Sequence, residues 1–381
     1  MMKKILLLGA GRVGKAIADD LVRDFKVAAV DSDPRNLDQL TDGVDARQAN
    51  LTDPDGDDTL RKICEPFDLV VSALPGHLGC RTLEHLIEFG KDIVDISFMP
   101  ENPLSLDRKA KKRNVTALVD FGVAPGLNNF ILGQFDRRMK VQSFECMVGG
   151  LPFKRTLPFE YKAPFSPVDV IEEYVRPARM RVNGREVVRP ALSEVESVEV
   201  EEVGTLEAFN TDGLRTLLET LPHIPDMKEK TLRYPGHARW MKGLRDAGFF
   251  EEKPRDLRGV TVSPIEVTSA LLEEKWALEP DEEEFTVMTI HIEGSEEGRK
   301  KEVWCRLFDR YDRATGFSSM ARTTGYACTG AVRLLLDGVI TSKGVLPPEL
   351  PGSDPDSFGW MMRHLKERGI DIKFTEKTAS D

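Results

Sequence analysis

Gly9-Ala10-Gly11-Arg12-Val13-Gly14 decides the fold. It follows an apolar run at 5–8 and opens a segment, 13–23, in which Val13, Ala16, Ile17 and Leu21 fall at helical spacing. Between a strand and a helix each glycine has a task. Gly9 permits the tight turn, Gly11 lets a pyrophosphate approach the backbone, and Gly14 lets the helix pack closely on the strand. Ala10, Arg12 and Val13 complete the loop, and the helix N-terminus offers N–H groups and the positive end of its dipole to phosphates. A second apolar run, 27–30, ends on Asp31, twenty residues after Gly11, where a carboxylate takes the ribose hydroxyls. The pattern predicts a dinucleotide site with NAD as cofactor, because a carboxylate repels a 2′-phosphate. Arg35, whose guanidinium could pair with that phosphate, keeps NADP possible.

Working outward, continuous apolar runs at 69–73, 93–96 and 117–119 alternate with amphipathic stretches. Such strands are buried on both faces, which means parallel βαβ units. Residues 1–125 therefore read as an α/β Rossmann dinucleotide-binding domain with a mostly parallel sheet. Further cofactor contacts are expected at the C-terminal ends of its strands. Asn50 and Leu51 would flank the adenine, Ala73, Leu74 and Pro75 the pyrophosphate and ribose, and Phe98, Met99 and Gly122 the nicotinamide. Each could equally be an ordinary turn or apolar loop.

From about 145 to 315 the texture changes. Asn183-Gly184 between 178–182 and 185–188 signals a two-residue hairpin. Residues 195–203 alternate valine with serine and glutamate, and 285–292 can pair with 301–308 across the turn at 294–298. This predicts a separate α+β substrate-binding and dimerisation domain with an antiparallel sheet over 126–316. Long helices are expected at 318–336 and 358–368.

The 381 residues fit two domains at ~150 residues each. With 53 Lys plus Arg against 64 Asp plus Glu, the net charge of −11 disfavours nucleic acid as a partner. No apolar run approaches the ~18 residues that span a bilayer, so no membrane partner is expected. The apolar stretch at 5–8 is shorter than the ~7 residues of a signal-peptide core. The cysteines at 64, 80, 146, 305 and 328 form no CxxC pair. They read as reduced thiols of a cytoplasmic protein, with no metal site expected.

Candidates for chemistry are scattered. Asp120 opens a glycine- and proline-rich loop, 120–128, at the end of the sixth strand, placed for a substrate beside the cofactor or for a hinge. Further on stand Tyr161, Lys162, Phe165, Arg176, Asp212, Arg215 and His237. Structural readings stand beside these. Ser166-Pro167 fits a helix N-cap, as does Asp212, Arg176 fits a salt bridge, and His237 fits a helix start.

The sequence resembles the saccharopine dehydrogenase / lysine dehydrogenase family, and within it most closely the L-lysine 6-dehydrogenases of archaea and bacteria. The resemblance rests on GAGRVGKAIA from Gly9, SALPGHLG from Ser72, VDISFMPENPL from Val94 and VDFGVAPGLNN from Val119. It continues in GGLP from Gly149, FSPVDVIEEYVRPAR from Phe165, TDGLRTLLET from Thr211, LRYPGH from Leu232, SSMARTTGY from Ser318 and GVLPPE from Gly344. It implies an NAD(P)-dependent oxidoreductase acting on a C–N bond of an amino acid. A homodimer is also implied, as is a return of residues 317–381 to the nucleotide-binding domain. Saccharopine reductases carry an aspartate before the Pro-Gly of the sixth-strand loop and a tryptophan before the Ser-Pro. Here Ala124 stands at the first position, a departure that points away from saccharopine and to a smaller substrate such as lysine, and Phe165 stands at the second.

The expected reaction is oxidative deamination of L-lysine at the ε-carbon. The alternative is a saccharopine- or carboxynorspermidine-type reductase that joins an amine to a carbonyl compound. In the first, the neutral amine's carbon gives hydride to the nicotinamide, and water then releases ammonia. A planar guanidinium fork suits the substrate carboxylate, so Arg215 and Arg176 are assigned to it. Asp120 and Asp212 would hold the ammonium end. His237, with an ordinary pKa near ~6.5, or Lys162, lowered by burial, would take the proton. Asp120, Lys162, Arg215 and His237 are expected to face one cleft opposite the nicotinamide.

Overall fold

The computed structural model describes residues 2–53, 56–163, 167–279 and 282–378. The chain divides into two compact units, Met1–Arg138 with Ala321–Asp371, and Met139–Met320 with Ile372–Asp381.

Unit 1 is an α/β layer around a seven-stranded parallel sheet. Its order runs Gly344–Leu346, Thr116–Leu118, Asp92–Asp95, Leu69–Ser72, Lys4–Leu8, Lys26–Asp31 and Asp45–Gln48. Ile5, Leu6, Leu7 and Leu8 are fully buried, as a strand covered on both faces must be. The first edge strand comes from the chain's late return. Helix Ser319–Leu336 brings Arg333 to Asp20 at 2.8 Å and to Asp24 at 2.6 Å. Arg368 reaches the same Asp20 at 2.8 Å. Burial opposes the charge on Asp20, but these two guanidinium groups hold its carboxyl below the usual range.

The division differs from the expected one in two places. Helix Leu127–Arg138 belongs to unit 1, because Gly133 lets it pass against the backbone of Glu349, where a Cβ would come within 2.1 Å of the carbonyl oxygen. The tail strand Ile372–Thr378 leaves unit 1 and pairs with Arg299–Arg310, covering an edge that would otherwise expose a hydrogen-bonding ladder.

Unit 2 is α+β. Its main sheet runs Glu196–Val200, Gly204–Asn210, Asp226–Arg233, Lys140–Pro152, Glu284–Glu296, Arg299–Arg310 and Ile372–Thr378. Ala178–Val182 and Arg185–Arg189 form the hairpin at Asn183-Gly184 and join the strand Asp226–Arg233. The sheet is mixed rather than purely antiparallel. Lys140–Pro152 and Asp226–Arg233 run parallel, which the long connection between them permits. Tyr174, Phe209, Trp276, Phe285 and Val287 are buried in the core on one face.

Candidate functional site

In unit 1 the glycines of the first loop behave as three different parts. Gly9 has φ +94°, and a Cβ on it would lie 2.4 Å from the Ala73 carbonyl oxygen. A Cβ on Gly14 would lie 2.1 Å from the Gly9 carbonyl oxygen. Those two allow backbone to touch backbone. At Gly11 a Cβ would meet nothing within 4 Å. The helix Arg12–Leu21 begins there with no side-chain cap and no acidic residue in its first turn. Open space over a glycine at an uncapped helix start fits a pyrophosphate. Ala10, Arg12 and Val13 frame that opening.

Asp31 ends its strand with the carboxylate turned back on the loop. It accepts from the Ala10 amide at 2.7 Å and from the Asp33 amide at 2.8 Å. Arg35 is largely exposed and forks onto Asp33 at 2.6 Å. The other expected cofactor residues fall at strand ends. Asn50 closes an exposed turn, accepting from the Thr52 amide at 3.1 Å, and Leu51 packs on the unit's core. The Ala73 amide extends the ladder to the Leu8 carbonyl at 2.8 Å, Leu74 packs on the core, and Pro75 precedes helix Gly76–Glu88. Met99 is buried and Phe98 half-buried. Gly122 turns the 120–126 loop back on itself, its carbonyl accepting from Leu127 at 3.0 Å.

Asp120, with φ +56°, is buried beside a residue that the sequence reading passed over. Asp95 ends the neighbouring strand, and its carbonyl accepts from the Phe121 amide at 3.2 Å. The Asp95 carboxylate takes the Ser97 amide at 2.9 Å and the Ser97 hydroxyl at 2.6 Å. Burial pushes the Asp95 carboxyl up to about 7, against the Ser97 and Ser72 hydroxyls, and the charge of Asp120 adds to the rise. An acid closing an apolar strand next to a second acid closing the adjacent strand was the available signal.

Unit 2 gathers some of the expected residues and separates others. His237 and Tyr161 meet, with ring centroids 5.2 Å apart, and both are buried. His237 Nδ1 bonds to the Phe159 carbonyl at 2.9 Å, and Nε2 to the Tyr174 hydroxyl at 2.9 Å. The Arg233 guanidinium lies 4.5 Å over the Tyr161 ring and pairs with Glu173 at 2.7 Å. The expectation of a histidine near its ordinary pKa is corrected here. Burial, with Arg233 beside it, pushes His237 down to about 3, so the ring is neutral at any working pH. Burial also pushes the Tyr161 and Tyr174 phenols up.

Lys162 donates to the Ala277 carbonyl at 2.6 Å and lies 3.5 Å from the Glu282 carboxylate, rather than joining His237. Arg176 pairs with Glu172 at 3.2 Å, the salt-bridge reading. Asp212 neither caps a helix nor stands clear for an ammonium, for its carboxylate is forked by Arg179 at 3.0 and 3.1 Å. Arg215 is buried in the same loop, with φ +52°. Phe165 lies outside the described residues. Sequence reasoning also missed Glu207, whose carboxylate accepts from the Gly236 and Ala238 amides at 2.9 and 2.6 Å. It occupies the start of helix His237–Asp246 as an anion would. Among the described residues no group of three or more His, Cys, Asp or Glu could hold a metal, and no helix is long and apolar enough to cross a membrane.

Two family models match the chain, and the boundary between them falls inside unit 1. Residues 5–118 match the family model of the saccharopine dehydrogenase NADP binding domain, and residues 122–370 that of the saccharopine dehydrogenase C-terminal domain. The chain is 25% identical to the NADP(+)-dependent, L-glutamate-forming saccharopine dehydrogenase of Saccharomyces cerevisiae, over 100% of both chains. It is 24% identical to the mitochondrial alpha-aminoadipic semialdehyde synthase of Rattus norvegicus, over 97% of this chain and 47% of that protein. The chain thus spans about half the length of that synthase. Among solved structures, saccharopine dehydrogenase (L-Glu forming) from Saccharomyces cerevisiae superposes with a TM-score of 0.78 at 22% identity, covering 99% of this chain and all of that one, a likeness of fold. These names favour the amine–carbonyl alternative over lysine deamination.

Proposed function

The chain belongs to the saccharopine dehydrogenase family, and from that premise we propose that it makes or cleaves a secondary-amine amino acid of the saccharopine type, with NAD(P) as hydride partner. One observation carries this reading. A dinucleotide cradle with open space over Gly11 is followed by a family match from 122 to 370, in a chain that covers the full length of a relative named for that reaction. Bound NAD(P) supplies a hydride acceptor or donor. Gly11 makes room for its pyrophosphate, Gly9 and Gly14 let the turn and helix close up beside it, and Asp31 faces its ribose. The amine's proton falls to Asp95, with Asp120 beside it, rather than to the neutral His237, because a carboxyl held near 7 exchanges protons in both directions. A homodimer and a cytoplasmic location belong to the same proposal. Buried Cys64 has its thiol pushed up to about 12, which suits a protein that keeps its cysteines reduced.

A second reading, ε-deamination of L-lysine, is favoured by Ala124, which removes the carboxylate that the resemblance expects before Pro125-Gly126. A substrate panel separates the two. Saccharopine with NAD(P)+, and an amine plus a 2-oxo acid or an aldehyde with NAD(P)H, should change nicotinamide absorbance. Turnover of L-lysine alone, with ammonia released, would establish the second reading, and no turnover with any of them would remove both.

A further inference from the structure

Ser97 binds Asp95 twice. Its amide donates to one carboxylate oxygen at 2.9 Å and its hydroxyl to the other at 2.6 Å. Both residues are buried. One residue thus satisfies both oxygens of an acid at the C-terminal end of its strand, the edge at which open α/β sheets bind their ligands. An amide can only donate, so this clasp suits the charged carboxylate better than the neutral acid, and bonds to an ionised group are the stronger ones. Helix Gly76–Glu88 fixes the clasp from outside. A Cβ on Gly79 would lie 2.8 Å from the Ser97 Cβ, 2.9 Å from its Oγ and 3.2 Å from the Met99 Cβ. The helix therefore rests on Ser97 at a point where only glycine fits.

Other elements also face the Asp95 carboxyl. Ser72, its Cα partner on the neighbouring strand, brings a second buried hydroxyl to it. Asp120, just past strand Thr116–Leu118, adds negative charge. Cys80 on helix Gly76–Glu88 and Cys328 on helix Ser319–Leu336 have thiols that burial pushes up, so both stay neutral. We propose that Ser97 is the positioning residue of this site: by holding both Asp95 oxygens it keeps the carboxylate form available to the substrate's amine, and helix Gly76–Glu88 holds Ser97 in place through Gly79. The proposal rests on the assignment of the amine's proton to Asp95. The carboxylate takes one proton from the substrate ammonium, leaving a neutral carboxyl and a neutral amine whose carbon can give up hydride. Without the clasp, burial and the charge of Asp120 would keep the carboxyl protonated, and it could accept nothing.

The test is the pH profile of kcat in the oxidative direction, with circular dichroism as the check on folding. In Ser97→Ala the limb near neutrality should rise by about 1 pH unit, because the charged form loses more than the neutral one. Activity at pH 7 should fall severalfold and return at alkaline pH. Ser97→Cys, whose thiol is a weak donor, should move the limb less far. Gly79→Ala presses on Ser97 without touching Asp95 and should move it in the same direction as Ser97→Ala. A serine that merely ends a strand would lower Tm and leave the limb where it was. A second readout needs neither substrate nor cofactor. The infrared band of the neutral carboxyl that is lost in Asp95→Asn should titrate at higher pH in Ser97→Ala than in wild type. A limb and a band that both stay, or that move to lower pH, would overturn the proposal. A band that moves while the limb stays would uphold the hold of Ser97 on Asp95 and overturn instead the assignment of the amine's proton to that acid.

Discussion

Unit 1 offers its nucleotide bare backbone, whereas unit 2 holds its polar side chains already bonded to one another. Around Gly11 there is open space and an uncapped helix start, while around His237 each ring nitrogen has a partner and Arg233 closes the group. The difference teaches what kind of site each unit can carry. A backbone cradle recognises a common group, the pyrophosphate, by shape and dipole. A closed side-chain network is rigid and position-specific, and it titrates poorly because its members are desolvated. On the function proposed above, the proton falls to an unbalanced carboxyl such as Asp95, while His237 stays neutral inside its network.

The largest effects should separate the glycines within the cradle. Gly11→Val puts a side chain into space that is otherwise open, so the protein should fold with an almost unchanged Tm. Its affinity for NAD(P)H, read by titration calorimetry, should fall at least ~100-fold, about 2.7 kcal/mol. Gly14→Ala should do the reverse. Its Cβ would stand 2.1 Å from the Gly9 carbonyl oxygen, so helix and strand must part, with a loss of about 1–3 kcal/mol in stability. Undiminished NADH affinity in Gly11→Val would sink the cradle argument.

Those glycines were legible because their spacing is local. Strand, turn, helix and Asp31 follow one another within about thirty residues, and each constraint acts on backbone a few residues away. The hairpin at Asn183-Gly184 and the long pair Glu284–Glu296 with Arg299–Arg310 were legible for the same reason. What escaped is long-range. The mixed register of Lys140–Pro152 with Asp226–Arg233 depends on a connection of more than seventy residues. The pairing of Ile372–Thr378 with Arg299–Arg310 joins segments between which the chain runs through unit 1. The candidate site suffered most. Arg179 reaching Asp212, Arg233 reaching Glu173 and Asp95 beside Asp120 are contacts made by the fold, and residue type alone gave no partner.

Intermediate effects should appear as pH slopes of opposite sign. His237 goes from ~6.5 in the unfolded chain to about 3 in the fold, so its contribution to stability is present above pH ~6.5. It is lost as pH falls towards 3, with a limiting slope of ~1.4 kcal/mol per pH unit. Asp95 goes from ~3.9 to about 7, so its contribution is present below pH ~3.9 and is lost as pH rises through 7. Hydrogen exchange read unit by unit should show Asp95→Asn stabilising unit 1 at pH 8 by a few kcal/mol and hardly at all at pH 4. His237→Asn should weaken unit 2 at pH 7 by about 1–3 kcal/mol through its unmade hydrogen bonds. The same variants test the proton assignment. The limb of the kcat profile near pH 7 should vanish in Asp95→Asn and persist in His237→Asn. If the limb instead disappeared with His237→Asn, the roles would have to be exchanged.

The smallest effect concerns the choice between the two nicotinamide cofactors, where backbone and side chain meet. The Ala10 and Asp33 amides fix the Asp31 carboxylate at the end of its strand, so its negative charge has a set position beside the glycine loop. A 2′-phosphate brought there meets that charge, whereas ribose hydroxyls can donate to it. Arg35, one turn on, is bound to Asp33 and must leave that carboxylate before it can take a phosphate. An exposed ion pair of this kind holds only ~0–1 kcal/mol, so the preference it defends is shallow. Wild type should accordingly favour NAD over NADP by severalfold in kcat/KM, and Asp31→Ser should reverse the order. Arg35→Ala in the Asp31→Ser background should then return the ratio towards unity, because the cation that this reading offers to the phosphate is gone. A wild type that favours NADP would mean that Arg35, released from Asp33, governs the pocket, and Arg35→Ala alone would then be the substitution that lowers NADP use.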